Sequence, residues 1–457
     1  MSLNSIKIVI NPNVKNPRQW EIYSDSLKQE YYQCIQEGKD VEKYKDVFNA
    51  VSEMERSDFK SELADAIFNM VINAPKSENF KYNEPSDLQE IMKLRKPYNI
   101  EKKALNKEEL FSKIYGAWLG RVIGCRHGAV VECCGYDDLT NFLKSTDNYP
   151  MHRYIYSSDV QKINPEDYSY NFNLDYYVDK IDDITDGDDD TNYTVLSQLI
   201  VDTYGRDFTA DDVGHAWLAL QIRDEHATAE KIAYRNLING YYPPYSAVYK
   251  NPFREWIGAQ IRGDYFGYIN PGNPENAAEM AFKDASVSHT KNGIYGEMFI
   301  AAAIAIAAVT DNIEEIILGG LAQIPTTSRL YEDVMSVYDG YKSGIAKNAM
   351  FADIHKKYDT LELGGWVHTN PNAMIVAASL LYGNKDFGKS ICMAVETGFD
   401  TDCNAATIGS ILGMAIGVEA IPTYWKEPIK DKMRTGIYKH ESVRISECAK
   451  LTLKHIK

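Results

Sequence analysis

The feature that most limits the fold is the segment 298–309, which is apolar on every side. A helix with such a surface is normally buried at the centre of a large bundle. The segment is too short to span a bilayer. We therefore expect it to form the central helix of a large helical domain, and we expect no membrane association.

From Glu108 onward the chain repeats helical patterns, whereas stretches that alternate between apolar and polar residues are few. Helix-patterned runs lie at 110–120, 191–204, 209–223, 274–283, 296–310, 313–323, 371–382 and 402–417. This pattern predicts an all-α fold. In the last run, Gly409, Gly413 and Gly417 recur at four-residue spacing, which lets another backbone approach closely.

The composition and the helical pattern of the chain change near residue 105. Residues 1–105 are polar and mostly helical in pattern, and we interpret them as an accessory helical segment packed on a catalytic domain formed by residues 106–457. Residues 137–183 are rich in Asp, Asn and Tyr, and they predict a long loop or lid.

Charge and cysteine usage narrow the functional classes. The net charge of −16 argues against binding to a nucleic-acid backbone, which requires a basic face. Residues 1–13 lack a basic stretch followed by an apolar core, and the seven cysteines contain no CxxC pair. We expect reduced thiols and a cytoplasmic protein.

Two acidic clusters stand directly before helix-patterned runs. The first acidic cluster spans residues 186–190 and contains Asp188, Asp189 and Asp190; the second contains Asp400 and Asp402. Carboxylates this close repel one another unless a cation lies among them, and oxygen ligands suit magnesium, manganese and calcium. The alternative interpretation is that each cluster merely caps its helix. The presence of two such clusters in one chain favours a shared metal site.

Two further segments carry polar groups beside apolar runs. Residues 116–132 are rich in glycine, which predicts tight turning and close approach to a ligand, and they end at Glu132. A carboxyl there could serve as acid, base or gate, although an isolated Glu is more often a surface residue. The segment 284–299 places His289, Asn292 and Tyr295 at the start of the central helix, which indicates a binding wall.

Jointly, these segments resemble the ADP-ribosylglycohydrolase family, the group that includes dinitrogenase reductase-activating glycohydrolase, over about residues 108–422. The family patterns Ser/Thr-Asp-Asp-Thr and Gly-Gly-Asp-Thr-Asp-Thr fall on Asp188-Asp189-Asp190-Thr191 and Gly398-Phe399-Asp400-Thr401-Asp402-Cys403. The Glu that follows the family's Gly-Asp-Ala-Leu-Gly segment falls on Glu132. The sequence departs from the family at Cys125, which replaces an Asp, at Asp188, which replaces a hydroxyl residue, at Phe399, which replaces a Gly, and at Cys403, which replaces a Thr.

The resemblance implies an all-α orthogonal helical bundle with two divalent cations, Mg or Mn. It implies metal ligands at Asp188, Asp189, Asp190, Asp400 and Asp402. Catalytic roles are predicted for Glu132 and Asp400. Substrate-binding roles are predicted for Gly128, His289, Asn292, Gly293, Tyr295 and His368. A thiol is a poor ligand for magnesium, so either Cys403 does not coordinate at all or one metal site is altered or weak.

The expected reaction is metal-dependent hydrolysis of a glycosidic bond at the anomeric carbon of a ribose. An ADP-ribosylated protein or a small ribosylated molecule would be the substrate, and the sequence leaves the aglycone open. Departures from the family pattern motivate a second hypothesis, a non-catalytic ADP-ribose or nucleotide-binding protein. A third, a metal-dependent phosphohydrolase, is disfavoured because His-Asp ligand pairs are lacking.

Overall fold

The computed structural model describes residues 17–100, 105–172, 176–358 and 362–457, with the side chains of residues 362 and 363 left aside. Within these ranges helices dominate, and two short strands are present. The α-helices of the first half are α1 (Leu27–Gln36), α2 (Lys45–Ser52), α3 (Asp58–Val71), α4 (Leu88–Leu94), α5 (Lys107–Gly128), α6 (Tyr136–Ser145), α7 (Asp189–Tyr204), α8 (Ala210–Leu220), α9 (Thr228–Ile238) and α10 (Tyr245–Val248).

The second half contains the remaining helices and both strands. They are α11 (Asp264–Tyr268), α12 (Pro274–Ala285), α13 (Asn292–Ala307), α14 (Ile313–Leu321), α15 (Arg329–Lys342), α16 (Lys347–Lys357), α17 (Thr369–Gly383), α18 (Phe387–Val395), α19 (Thr401–Ile416), α20 (Thr423–Lys426), β1 (Lys432–Arg434), β2 (Ser442–Arg444) and α21 (Ile445–His455). The strands pair antiparallel, with Met433 opposite Val443. The predicted all-α fold is confirmed.

Helix α13 is the centre of the bundle, as predicted from its apolar surface. All of its residues are buried, and it contacts α11, α12, α14, α17 and α19. In the part of the chain that the structure describes, no helix combines enough length with enough apolar character to cross a bilayer.

Helices α5 and α19 pack against each other in antiparallel orientation through glycine-lined faces. Gly116 lies against Gly413, Gly120 against Gly409, and Gly128 against the backbone at the start of α19. A Cβ atom at Gly120 would lie 2.1 Å from the carbonyl oxygen of Gly409, so the two backbones are in direct contact. The close approach predicted for the glycines of α19 is confirmed.

The turn predicted within residues 116–132 is wrong, because α5 continues to Gly128. A four-residue spacing places all the glycines of this segment on one helical face. There they serve contact between helices rather than chain reversal. Their partner face on α19 lies far away in the sequence, which is why the local pattern alone suggested a turn.

The long loop predicted for residues 137–183 is also wrong in its first part. Helix α6 occupies that part, and Leu139, Phe142 and Leu143 form its buried face. This spacing is typical of an amphipathic helix, and the many polar residues around it obscured the pattern. The ring of Phe142 stacks on Phe172, with 4.2 Å between the ring centroids.

The N-terminal part, residues 17–74, has a small apolar core of its own and is joined to the rest of the protein by buried ion pairs. Arg254 contacts Glu37 and also Glu30, with 3.1 Å between Arg254 Nη1 and Glu30 Oε1. Arg329 contacts Glu84, with 2.8 Å between Nη2 and Oε2. The N-terminal carboxylates thus neutralise arginines of the main bundle. The domain boundary near residue 105 stays a prediction.

We predict that Gly120→Ala lowers the free energy of unfolding by about 1–3 kcal/mol, because the added methyl group meets a backbone carbonyl that cannot move aside. Gly214→Ala is the matched control. Its methyl group would lie 3.1 Å from Leu237 Cδ2, the end of a side chain rather than a backbone atom, and alanine favours the helix, so a change within about 1 kcal/mol is expected. Urea denaturation measures the free energy of unfolding of both variants. Equal losses would contradict direct backbone contact between α5 and α19 at Gly120.

Glu37→Gln should lower the free energy of unfolding by at least about 2 kcal/mol, since it leaves part of the Arg254 charge buried without compensation. Glu53→Gln removes a carboxylate from an exposed pair with Lys28 and should change stability by no more than about 0.5 kcal/mol. Thermal unfolding of the two variants compares them. If Glu37→Gln lowers stability no more than Glu53→Gln does, the buried ion pairs do not stabilise the attachment of residues 17–74 to the main bundle.

Candidate metal centre

The first acidic cluster opens α7, and Asp188 is the N-cap of that helix. The Asp188 side chain accepts a hydrogen bond from the backbone of Asp190, and the Thr191 hydroxyl accepts one from the backbone of Asp188. The capping interpretation therefore holds for Asp188. The chain before it is fixed by backbone hydrogen bonds between Thr185 and both Lys432 and Arg434.

The second acidic cluster opens α19, but here capping does not explain the side chains. Asp400 occupies the N-cap position without making a side-chain cap hydrogen bond. Asp400 Oδ1 and Asp402 Oδ1 are both buried and have no hydrogen-bond partner among the described residues. A buried carboxylate oxygen without a partner is costly unless a proton or a cation satisfies it. This arrangement fits a divalent cation, which prefers oxygen ligands.

The fold brings the two clusters together with Glu132. The ligand atoms form three groups, within each of which all atoms lie within 4.8 Å of one another. The groups are Asp188, Asp189 and Asp190; Asp190, Asp402 and Cys403; and Glu132, Asp400 and Asp402. Because Asp190 and Asp402 each belong to two groups, the three groups form one acidic centre. The predicted juxtaposition is confirmed, whereas the metal-binding and catalytic roles stay predictions.

Mutual repulsion and burial disfavour ionisation in this centre. The charge of Asp402, together with burial, raises the pKa of Glu132 well above its ordinary value. Burial and the charge of Asp188 raise the pKa of Asp402 to about 7. Burial and the charge of Asp402 likewise raise the pKa of Asp400 well above its usual range. Repulsion and burial thus favour the protonated forms of these carboxyls as long as no cation lies among them.

Arg121 of α5 is a member of the site that the sequence did not predict. It is fully buried, and Nη2 donates to Asp190 Oδ1 at 2.8 Å while Nε donates to the Asp190 backbone carbonyl at 2.6 Å. Its Nη1 lies 3.0 Å from Asp264 Oδ1. Arg121 therefore fixes the start of α7 and supplies one positive charge. A single arginine within an apolar, glycine-rich run was the available signal.

Asn372 of α17 is a second residue that the sequence analysis missed. Its Oδ1 accepts hydrogen bonds from the Asp400 backbone at 3.3 Å and from Asn404 Nδ2 at 2.7 Å. Its Nδ2 donates to the backbone carbonyl of His368 at 2.9 Å. Asn372 thereby fixes the start of α19 relative to the loop that carries His368. In the sequence, the only indication of this role was a polar residue within a helix-patterned apolar run.

Comparison with known proteins decides the family. A sequence model of the ADP-ribosylglycohydrolase family matches residues 106–451. This chain belongs to the ADP-ribosylglycohydrolase family. Membership supports a glycohydrolase type of function, and the family is typically metal-dependent.

Two individual proteins are similar to this ADP-ribosylglycohydrolase family member. An uncharacterised protein of Archaeoglobus fulgidus is 27% identical over 252 residues, which are 54% of this chain and 75% of that protein. A solved structure of an ADP-ribosylglycohydrolase-related protein complex is 16% identical, with a TM-score of 0.47, and the match covers 76% of this chain and 98% of the other.

The residues predicted to bind substrate in this ADP-ribosylglycohydrolase family member are buried and have partners within the protein. Asn292 Nδ2 donates to Glu255 at 2.9 Å, His289 Nδ1 lies 2.8 Å from Ser288 Oγ, and the Tyr295 hydroxyl donates to the Pro85 carbonyl. Gly293 packs on the His289 ring, and Gly128 packs on the backbone of Asp402. The backbone carbonyl of His368 accepts a hydrogen bond from Asn372. Their contact with substrate stays a prediction.

An open cavity of about 540 Å³ is lined in part by residues that lie near Glu132 and Asp400 in the chain. Gly135 and Tyr136 line it shortly after Glu132 in the chain, and Thr397 lines it shortly before Asp400. The rings of Tyr136 and His355 face each other across 4.4 Å between centroids. Among the described residues, the lining of this cavity does not include the carboxylates of the acidic centre.

The raised pKa of Asp402 gives a pH test. A carboxyl whose folded-state pKa lies above its ordinary value of 3.8 stabilises the fold at low pH and loses that contribution as pH rises to about 7. Without metal, Asp402→Asn should therefore gain stability relative to the native chain as pH rises from about 4 to about 7. The gain should be on the order of a few kcal/mol.

Thermal unfolding in the presence of a chelator measures this difference. Saturating manganese should reverse it, since the cation stabilises the ionised native centre and the amide supplies one carboxylate fewer. A difference between the two proteins that stays constant with pH would show that Asp402 is not held in its neutral form.

Proposed function

We propose that the protein is a metal-dependent hydrolase that cleaves the glycosidic bond at the anomeric carbon of an ADP-ribosyl or related ribosyl substrate. The observation that carries this proposal is the pair of buried, unpartnered oxygens on Asp400 and Asp402, set in one centre with the first acidic cluster and Glu132. Family membership supports the glycohydrolase class, and the donor set supports the dependence on metal.

Carboxylates from two helix N-termini would hold two divalent cations, magnesium or manganese. Asp188, Asp189 and Asp190 would bind from α7, and Asp400 and Asp402 from α19. Arg121 occupies one oxygen of Asp190 and so leaves the other directed toward α19. When bound, the cations would supply the positive charge that binds ribose hydroxyls and lowers the pKa of a water molecule.

Glu132 and Asp400 would carry out the proton transfers. Glu132 follows a short 3-10 helix, Ala129–Val131, and is partly exposed, so a substrate can reach it. The charge of Asp402, together with burial, raises the pKa of Glu132, which favours the protonated form that a group protonating the leaving atom needs. Asp400 would accept a hydrogen bond from the attacking water through the carboxylate oxygen that does not hold a cation.

The substrate would be an ADP-ribosylated protein or a small ribosylated molecule. The cavity beside Tyr136 and Thr397 would receive the part of the substrate that extends from the ribose, because the segments that follow Glu132 and precede Asp400 contribute to its lining. We assign no particular aglycone.

Asp400→Ala should lower manganese affinity by at least about 100-fold and abolish turnover, because it removes a ligand and the acceptor for the water. The variant should remain folded, since Asp400 Oδ1 has no hydrogen-bond partner among the described residues and the substitution removes the repulsion between Asp400 and Asp402. Asp386→Ala is the matched control: it removes the N-cap of α18 and should leave metal binding intact. Calorimetric titration with manganese compares them, and unchanged affinity in Asp400→Ala would contradict the proposal.

A screen of ADP-ribosyl substrates with added manganese tests the reaction itself. Release of a free ribosyl product by the native chain supports glycosidic hydrolysis. Ligand binding without release, at any metal concentration, would indicate a binding protein instead. Release of phosphate would indicate a phosphohydrolase. Glu132→Gln should retain metal affinity and lose turnover.

A further inference from the structure

One thiol lies among the carboxylates of the acidic centre. Cys403, in the first turn of α19, is buried, and its Sγ donates a hydrogen bond to Asp190 Oδ2 over 3.0 Å. The Sγ atom, one oxygen of Asp190 and one oxygen of Asp402 all lie within 4.8 Å of one another. This half of the centre therefore presents sulfur as well as oxygen.

We propose that Cys403 is a thiolate ligand that makes this half of the centre selective for a thiophilic divalent cation, such as zinc or cobalt, over magnesium. The inference rests on the proposed metal centre and concerns which cation it prefers. Soft thiolate ligands favour zinc and cobalt, whereas an oxygen-only set favours magnesium, manganese or calcium.

The ligand atoms of this half lie close together. Arg121 occupies Asp190 Oδ1, so Asp190 Oδ2 is the oxygen that the Cys403 thiol contacts. Asp402 Oδ1 is buried and has no hydrogen-bond partner in the described residues, so it too is available to a cation. On binding, the Sγ–H bond breaks, its proton leaves to solvent, and the sulfur lone pair forms the bond to the cation. Asp190 Oδ2 then loses its hydrogen bond from the thiol and binds the cation instead.

The other half of the centre differs in chemistry. Asp400 and Asp402, which lie beside Glu132, offer oxygen alone. Because the two halves share Asp402, the account predicts two neighbouring sites with unlike preferences, one for a hard cation and one for a thiophilic cation.

A second thiol provides a matched control. Cys125 of α5 is buried, and the charges of Asp188, Asp190 and Asp402 reach it. Within the described ranges, however, its sulfur belongs to none of the three groups of ligand atoms. Cys125→Ser therefore removes a neighbouring thiol without removing the proposed ligand.

The test is a titration of the metal-free full-length protein with cobalt, followed by absorption spectroscopy. The native protein should show visible ligand-field bands together with a sulfur-to-cobalt charge-transfer band in the near ultraviolet. Cys403→Ser should lose the charge-transfer band and keep the visible bands, while Cys125→Ser should keep both. In Cys403→Thr, the affinity for zinc relative to magnesium should fall by at least about tenfold.

The outcomes separate this inference from the proposed function. Cobalt binding without a charge-transfer band in the native protein would overturn the role of Cys403 and leave the metal centre intact. No cobalt binding at all would overturn both. If the Cys403 variants fail to fold, X-ray absorption on the native zinc-loaded protein decides: a sulfur shell at about 2.3 Å supports the inference, and an oxygen-only shell refutes it.

Discussion

The contact between α5 and α19 determines where the chemical groups lie. Glycines on both helices let the backbones touch, and the antiparallel orientation sets the end of α5 beside the start of α19. Glu132 follows the first helix closely and Asp400 immediately precedes the second, so backbone packing places these carboxyls together. Arg121, on the same α5, extends to Asp190 and brings the start of α7 to the same point. One helix thus organises all three contributions to the centre.

The centre is electrostatically unfavourable by itself. Several carboxylates face one another in a largely buried space, and among the described residues the buried Arg121 forms an ion pair with one of them, Asp190. Burial and repulsion therefore raise the pKa values of Asp400 and Glu132, and oxygens of Asp400 and Asp402 remain without partners. Natural proteins tolerate such local conflict mainly at functional sites. A bound cation would resolve it, and the thiol of Cys403 would determine in part which cation is preferred.

The sequence predicted the all-α class and the buried central helix because both follow from local periodicity. It also predicted the juxtaposition of the acidic clusters, through the resemblance to a family. The prediction from sequence was wrong where the role of a residue depends on a distant partner. The glycines from Gly116 onward suggested a turn, whereas in the structure they contact α19. The roles of Arg121 and Asn372 likewise depend on hydrogen bonds to remote backbone groups. Nor did the sequence reveal that Pro85 covers Tyr295.

The most direct test of the shared centre is anomalous diffraction from crystals of the native protein soaked in manganese. The account predicts anomalous peaks between the carboxylates of the first acidic cluster and those of Asp400 and Asp402, within reach of Glu132. Manganese bound only elsewhere, or no peak at this centre under saturating metal, would contradict the claim that the two helix N-termini form one cation-binding site.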